Sequence, residues 1–364
     1  MESFNREWLL KVILGAVFLL ILLNLINSRW NSPSTELILS VNDIPKVVHL
    51  DVHQHVMVNS ANVANRTEDE NNVKVKSILQ NCPPVPPGLG GRYKLNMTYE
   101  SLFVLEKRRS NCLQPGGQYT PRECLARDRV AIIVPYRNRI QHLPIFLNNM
   151  HPFLQKQQIE YGIYLVEQSS ESQFNRAMLM NIGFVEALRE KNWDCMVFHD
   201  VDLLPMDDRN LYTCPDQPRH MSVAVDVFGY RLPYDTIFGG VSAMTTKQFR
   251  AINGFSNSFW GWGAEDDDLY NRLQHAGFRI IRYSPNIARY TMLYHRKEKR
   301  DPRRLQILKD GGKRFHTDGL NSLHYQLLNH TKMTLFTWIH VKIIPNASLA
   351  HIGTNKTILT SGLS

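Results

Sequence analysis

The chain has 364 residues, enough for one large domain or two small ones, and its 42 Lys and Arg against 33 Asp and Glu leave a formal charge of +9. A charge of that sign would suit nucleic acid, but no basic stripe with interleaved aromatics accompanies it, so no nucleic-acid partner is expected. The absence of Cys-x-x-Cys, His-Glu-x-x-His and P-loop patterns leaves zinc hydrolases and nucleotide kinases without support.

Residues 1–7 read as a short cytosolic tail carrying Arg6. From Trp8 to Asn27 the chain is almost wholly apolar, with Lys11 near one end. That is the length needed to span about 30 Å of hydrocarbon. A cleaved signal peptide would need small residues at its end, and Asn27-Ser28-Arg29-Trp30 is a poor cleavage region. The expectation is a retained transmembrane signal anchor over 8–27 with the remainder translocated. Residues 28–80 are polar and without sustained period, a luminal stem. Pro83-Pro84-Val85-Pro86-Pro87-Gly88 marks the entry to a globular domain over 81–345, followed by a tail over 346–364. Asn-x-Ser/Thr sequons at Asn65, Asn96, Asn329, Asn346 and Asn355 agree with a luminal location. The five cysteines, Cys82, Cys112, Cys124, Cys195 and Cys214, permit two disulfides and leave one thiol over, and spacing does not say which.

Within the globular part, Val130 to Pro135 is a β-branched apolar run, a buried strand. A helix over 143–157 follows, limited or interrupted by Pro144 and Pro152. Gly162 to Val166 is a second strand, Asn175 to Arg189 a helix with an apolar face, and Cys195 to Phe198 a third strand. This alternation predicts an α/β sheet with parallel order, whose ligands bind beyond the carboxyl ends of the strands. Arg137 and Arg139 fall at one such end and Asp200 and Asp202 at another.

Asp200-Val201-Asp202 offers two hard oxygen donors on one side of an extended segment, suited to Mg²⁺ or Mn²⁺ bridging a diphosphate. Pro135-Tyr136-Arg137-Asn138-Arg139 supplies guanidinium forks for phosphate and an aromatic for a base, and Phe174-Asn175-Arg176 repeats the combination. Trp260 to Asp268 sets two tryptophans on glycine hinges before four consecutive carboxylates, an arrangement costly in charge repulsion unless a ligand or a helix N-terminus uses it. Met292 and His295 read, from the residues alone, as a core methionine beside a surface histidine.

Taken together, these segments, with Phe238-Gly239-Gly240-Val241-Ser242-Ala243 and Asp318 to Leu323, resemble the β-1,4-galactosyltransferase family of Golgi enzymes from about Cys82 to Ile344. The resemblance implies a GT-A, Rossmann-like glycosyltransferase fold behind a single N-terminal transmembrane helix, in a single-pass type II Golgi membrane protein. It implies Mn²⁺ held by Asp202, Met292 and His295. It implies a UDP-sugar site lined by Pro135, Tyr136, Arg137, Arg139, Phe174, Arg176, Asp200 and Val201. Trp262 would act as a lid over donor and acceptor, and 293–313 as a second, longer lid. Asp266 would be the catalytic base, with Glu265 and Asp267 positioning an acceptor that ends in β-linked GlcNAc. The pairing it implies is Cys82 with Cys124 and Cys195 with Cys214, leaving Cys112 free.

Three positions depart from the family's pattern: Ala264 in place of a glycine, Tyr136 in place of phenylalanine, and Ile237 in place of tyrosine. Ile237 would leave room for a donor's N-acetyl group, so the expected donor is UDP-GalNAc, with UDP-galactose as the alternative. A membrane lectin that keeps the pocket without turnover is the reading from another class, and it would have no need of a base. No sequence pattern identifies an accessory protein.

Overall fold

The computed structural model describes residues 79–296 and 298–343, together with the backbone of Ile38–Leu39. The expected anchor, nearly all of the stem, the C-terminal tail and the sequons at Asn65, Asn346 and Asn355 lie outside the described residues. Among the described residues, no helix is long and apolar enough to cross a membrane.

The strands are β1 (Ile38–Leu39), β2 (Arg129–Tyr136), β3 (Glu160–Gln168), β4 (Cys195–His199), β5 (Leu203–Pro205), β6 (Arg219–His220), β7 (Ala224–Val225), β8 (Val241–Thr245), β9 (Ile281–Tyr283), β10 (Arg289–Met292), β11 (Gln326–Lys332) and β12 (Thr337–Lys342). The helices are α1 (Leu102–Arg109), α2 (His142–Lys156), α3 (Arg176–Glu190), α4 (Thr246–Ala251), α5 (Glu265–His275) and α6 (Arg304–Lys309). Nine strands form one sheet in the order β1-β9-β6-β8-β4-β2-β3-β12-β11, and β5-β10-β7 form a small second one.

Alternation along β2 assigns each face of the large sheet its core. Val130, Ile132 and Val134 pack with Phe146, Met150 and Phe153 of α2. Ala131 and Ile133 pack with Met178 and Ile182 of α3 and with Phe249 of α4. Each such side chain contributes about 1.5–3 kcal/mol when fully buried. Asn175 starts α3 as an N-cap, its side chain accepting from Met178 N at 2.9 Å.

Two expectations change. The sheet is mixed rather than parallel, because β8 runs antiparallel to both β4 and β6. Asp200 and Asp202 lie beyond β4, a central strand of that sheet. The second change is that α2 runs unbroken through both prolines. Pro144 sits in the first turn, where its missing N–H has no intrahelical partner to lose. Pro152 does cost a bond, but the buried stripe of Phe146, Leu147, Met150, Phe153 and Leu154 outweighs a penalty of about 3 kcal/mol.

Cys82 pairs with Cys124, and Cys195 with Cys214. Cys112 is free and half-buried. The second bridge ties the first residue of β4 to the segment before β6, which steadies the strand that delivers Asp200.

Candidate active site

The loop after β4 carries Asp200-Val201-Asp202 to the point where both sheets meet. Arg176, at the start of α3, donates through Nε to Asp200 Oδ1 at 2.6 Å. Burial raises the Asp200 carboxyl to about 6 despite the pull of Arg176. Across the loop, Leu293 N donates to Asp202 O at 2.7 Å, and Met292 pairs in register with Leu203. His295 then brings Nδ1 to 3.0 Å from Asp202 Oδ2. That hydrogen bond raises the imidazole's pKa.

Asp202 and His295 therefore meet from two strand ends, with Met292 at the end of β10 in register with Leu203. Their donors, one carboxylate, one imidazole and one thioether, fit a first-row divalent ion held partly by protein and partly by other ligands. Among the described residues, no cluster of three or more His, Cys, Asp or Glu side chains is arranged to hold a metal. The Met292 side chain packs in part against the core on the α2 face of the sheet.

The arginines divide. Arg137 stacks over Phe174 at 5.0 Å from the ring centroid and donates to Ser172 O at 2.7 Å. Arg139 starts the turn into α2, its carbonyl accepting from His142 N at 2.9 Å. Pro135 and Tyr136 end β2, but the Tyr136 ring is buried against an apolar cleft of about 370 Å³ with Leu165 and Trp338. It is thus turned away from Arg137 by strand alternation.

The acidic tract begins α5, with all four carboxylates in its first turn. That position favours negative charge through the helix's exposed N–H groups. Each carboxylate has a different neighbour. Glu265 lies 3.5 Å from Arg176, on the Asp200 side. Asp266 lies against the backbone of Gly239, where a Cβ would stand 2.5 Å from its Oδ2, so a side chain there would displace the carboxylate. Asp267 accepts from Tyr234 Oη at 3.0 Å. Asp268 is wholly buried and paired with Arg272 Nε at 2.7 Å. Burial, then the charges of Glu265 and Asp267, push the Asp266 carboxyl up to about 7. Glu265, expected at the acceptor, is thus bonded toward the arginine expected at the donor.

Trp262 is 45% exposed, its ring covered by the Arg300 guanidinium at 4.7 Å. The Trp262 backbone N–H donates to Lys299 O at 3.1 Å, and Gly261 N donates to Phe174 O at 2.7 Å. The tryptophan loop and the segment after His295 therefore touch each other above the site. Ala264 holds φ at +77°, a left-handed conformation that costs a residue with a Cβ about 1–2 kcal/mol.

Sequence reasoning missed four residues. Tyr234 stands three positions before Ile237 and reaches the acidic tract. Asp226 accepts from Met292 N at 3.0 Å. His220 and Arg282 lie behind Ile237 and Gly239. No local pattern marks them, because each acts on a segment distant in sequence.

A mixed α/β sheet with paired carboxylates beyond a central strand, and a carboxyl raised by burial at the start of α5, is the arrangement of a glycosyltransferase of the GT-A type. Residues 82–215 match the model for the N-terminal region of glycosyl transferase group 7, and residues 219–296 match that for the N-terminal domain of galactosyltransferase. Among similar proteins, β-1,4-galactosyltransferase 4 of Cricetulus griseus is 47% identical over 267 residues, 72% of this chain and 77% of that one. β-1,4-Galactosyltransferase 4 of Mus musculus is 43% identical over 305 residues, 83% and 88% of the two chains. The solved structure of a Drosophila β-1,4-galactosyltransferase 7 mutant, in complex with manganese, UDP-Gal and xylobiose, superposes with a TM-score of 0.53 at 26% identity. That match covers 61% of this chain and 97% of the other. The chain belongs to the β-1,4-galactosyltransferase family.

Proposed function

We propose that the protein transfers a galactose-configured sugar, with inversion, from a UDP donor to the 4-hydroxyl of a terminal β-linked GlcNAc on glycoprotein or glycolipid glycans. The observation that carries this reading is Asp266. It is a carboxyl raised to about 7, wedged against Gly239, within one helical turn of the acids next to Arg176 and Tyr234. A base with that pKa is matched to neutral operating pH.

In the reaction the acceptor hydroxyl gives its proton to Asp266 as its oxygen bonds to the anomeric carbon. The bond from that carbon to UDP breaks on the opposite face. Arg137, Arg139 and Arg176 supply the positive charge for phosphate, and Asp200 orients Arg176. Asp267 holds the acceptor, Glu265 braces Arg176 beside the donor, and Trp262 closes over both sugars and excludes water that would hydrolyse the donor. Asp202, Met292 and His295 would hold Mn²⁺, the ion bound in the Drosophila relative, which when present neutralises charge on the departing diphosphate.

For the donor, the relatives' names favour UDP-galactose. A second reading, UDP-GalNAc, rests on one specific observation. Ile237, half-buried two residues before Gly239, puts a short apolar side chain where a tyrosine ring would crowd an N-acetyl group. Full-length enzyme assayed with Mn²⁺, a GlcNAc-terminated acceptor and each UDP-sugar in turn decides between them. Release of UDP with neither donor overturns both. Faster turnover of UDP-galactose removes the GalNAc reading. The same enzyme is placed in the Golgi membrane by an anchor over 8–27, a reading supported by two disulfides, which persist in oxidising compartments.

A further inference from the structure

The 235–240 loop joins three parts of the site. It carries Ile237, its Gly239 backbone abuts Asp266, and Gly240 O accepts from Asp200 N at 3.1 Å and from Arg176 Nη2 at 3.4 Å. Asp235 and Thr236 are exposed, so side-chain packing does little to fix the start of this path. Its carbonyls do. Arg282 Nη2 donates to Asp235 O at 2.7 Å and to Ile237 O at 3.0 Å. Arg282 Nε donates to His220 Nδ1 at 3.1 Å, which leaves the proton on His220 Nε2 to bond Gly239 O at 3.1 Å. Ser222 Oγ adds a second donor to Gly239 O, also at 3.1 Å.

The two side chains are cross-strand partners, since His220 of β6 pairs with Arg282 of β9. They are 1% and 6% exposed. Burial and the adjacent guanidinium push the His220 imidazole down to about 3, so it is neutral and its tautomer is set by these bonds. A cation under the sheet thus grips a loop whose other side faces the chemistry.

We infer that Arg282 and His220 are positioning residues for donor recognition: they clamp the backbone of 235–240 so that Ile237 and Gly239 form a fixed wall against the donor sugar. The inference rests on the reading of Ile237 as donor-facing. A wall discriminates between two donors only if it cannot retreat, because the difference between them is one small group. Hydrogen bonds from a buried guanidinium resist such retreat more strongly than neutral ones.

The test is steady-state kinetics of the full chain with UDP-galactose and UDP-GalNAc, alongside thermal melting, for Arg282→Met, Arg282→Lys, His220→Gln and Ser222→Ala. Arg282→Met should shrink the ratio of kcat/KM between the two donors by about tenfold, mostly through KM of the preferred one. Arg282→Lys, which can still reach one carbonyl, and His220→Gln, whose amide replaces Nε2–H, should restore part of the ratio. Ser222→Ala leaves His220 on Gly239 O, so it should shift the ratio less, and it serves if the arginine variants do not accumulate. A donor ratio unchanged in every folded variant, with only the active fraction falling, would assign these residues to stability alone and overturn the inference. The wild-type ratio separately tests the reading beneath it. A wild type indifferent to the two donors removes Ile237 as a wall whatever the variants do.

Discussion

Asp266→Asn should stabilise the protein while abolishing transfer, and the gain should depend on pH in a defined direction. In the folded chain the Asp266 carboxyl is raised from 3.8 to about 7. Below 3.8 it is protonated in both states and has no effect. Between 3.8 and 7 the unfolded chain releases a proton that the folded chain keeps, so stability falls as pH rises through that window. Above 7 the whole penalty is present, roughly 4 kcal/mol at about 1.4 kcal/mol per unit. An isosteric amide removes it. For a domain of this size that is roughly 8–16 °C in Tm at pH 8, and roughly 40% as much at pH 5. Melting curves of wild type and Asp266→Asn at the two pH values, with UDP binding followed in parallel, measure this. Equal shifts at pH 5 and pH 8 would refute the raised carboxyl. Normal turnover by the variant would refute the base.

The same carboxyl sets an acid limb in kcat/KM, with activity rising as pH climbs through about 7. Asp267→Asn removes one of the like charges behind that elevation, so the limb should move to lower pH even though acceptor binding weakens; a limb left in place would separate Asp267 from Asp266. Ala264→Gly relieves a residue at φ +77°, so it should leave Tm unchanged or raised, against the usual loss of about 0.5–1 kcal/mol for such a change. Differential scanning calorimetry checks this, and a loss of that usual size would show the alanine to be unstrained. Arg272→Ala leaves Asp268 buried and uncompensated, which should cost about 3–5 kcal/mol by urea unfolding. A cost below about 1 kcal/mol would mean that water reaches the pair.

What was legible in the sequence was local. The β-branched run at 130–135 and the apolar faces of 175–189 announced the sheet and its covering helix, because burial imposes a period that a short window can show. The mixed sheet was not legible, since strand direction depends on where β8 returns and not on its composition. The site divides in the same way. Asp200 and Asp202 stand side by side in the chain, and so do the acids of α5. His295 and Met292 gain meaning only when β10 pairs with β5 and Leu293 N reaches Asp202 O. Residue chemistry argued against Met292 as a ligand, and it was the resemblance to a known family that reversed the reading.

Four adjacent carboxylates look like one feature in sequence and behave as four in the fold. Helix geometry turns successive side chains of α5 about 100° apart, so each meets a different surface. Asp268 turns inward to Arg272 and anchors the helix. Glu265 turns to Arg176 and so couples the helix to Asp200. Asp267 meets Tyr234 at the open side. Asp266 faces the backbone of Gly239, and the pull of Arg176 on it is outweighed by burial and by the charges of Glu265 and Asp267. The repulsion that seemed a cost of crowding is then concentrated on a single group. Burial together with those two like charges is how a tract of ordinary acids yields one carboxyl raised to about 7.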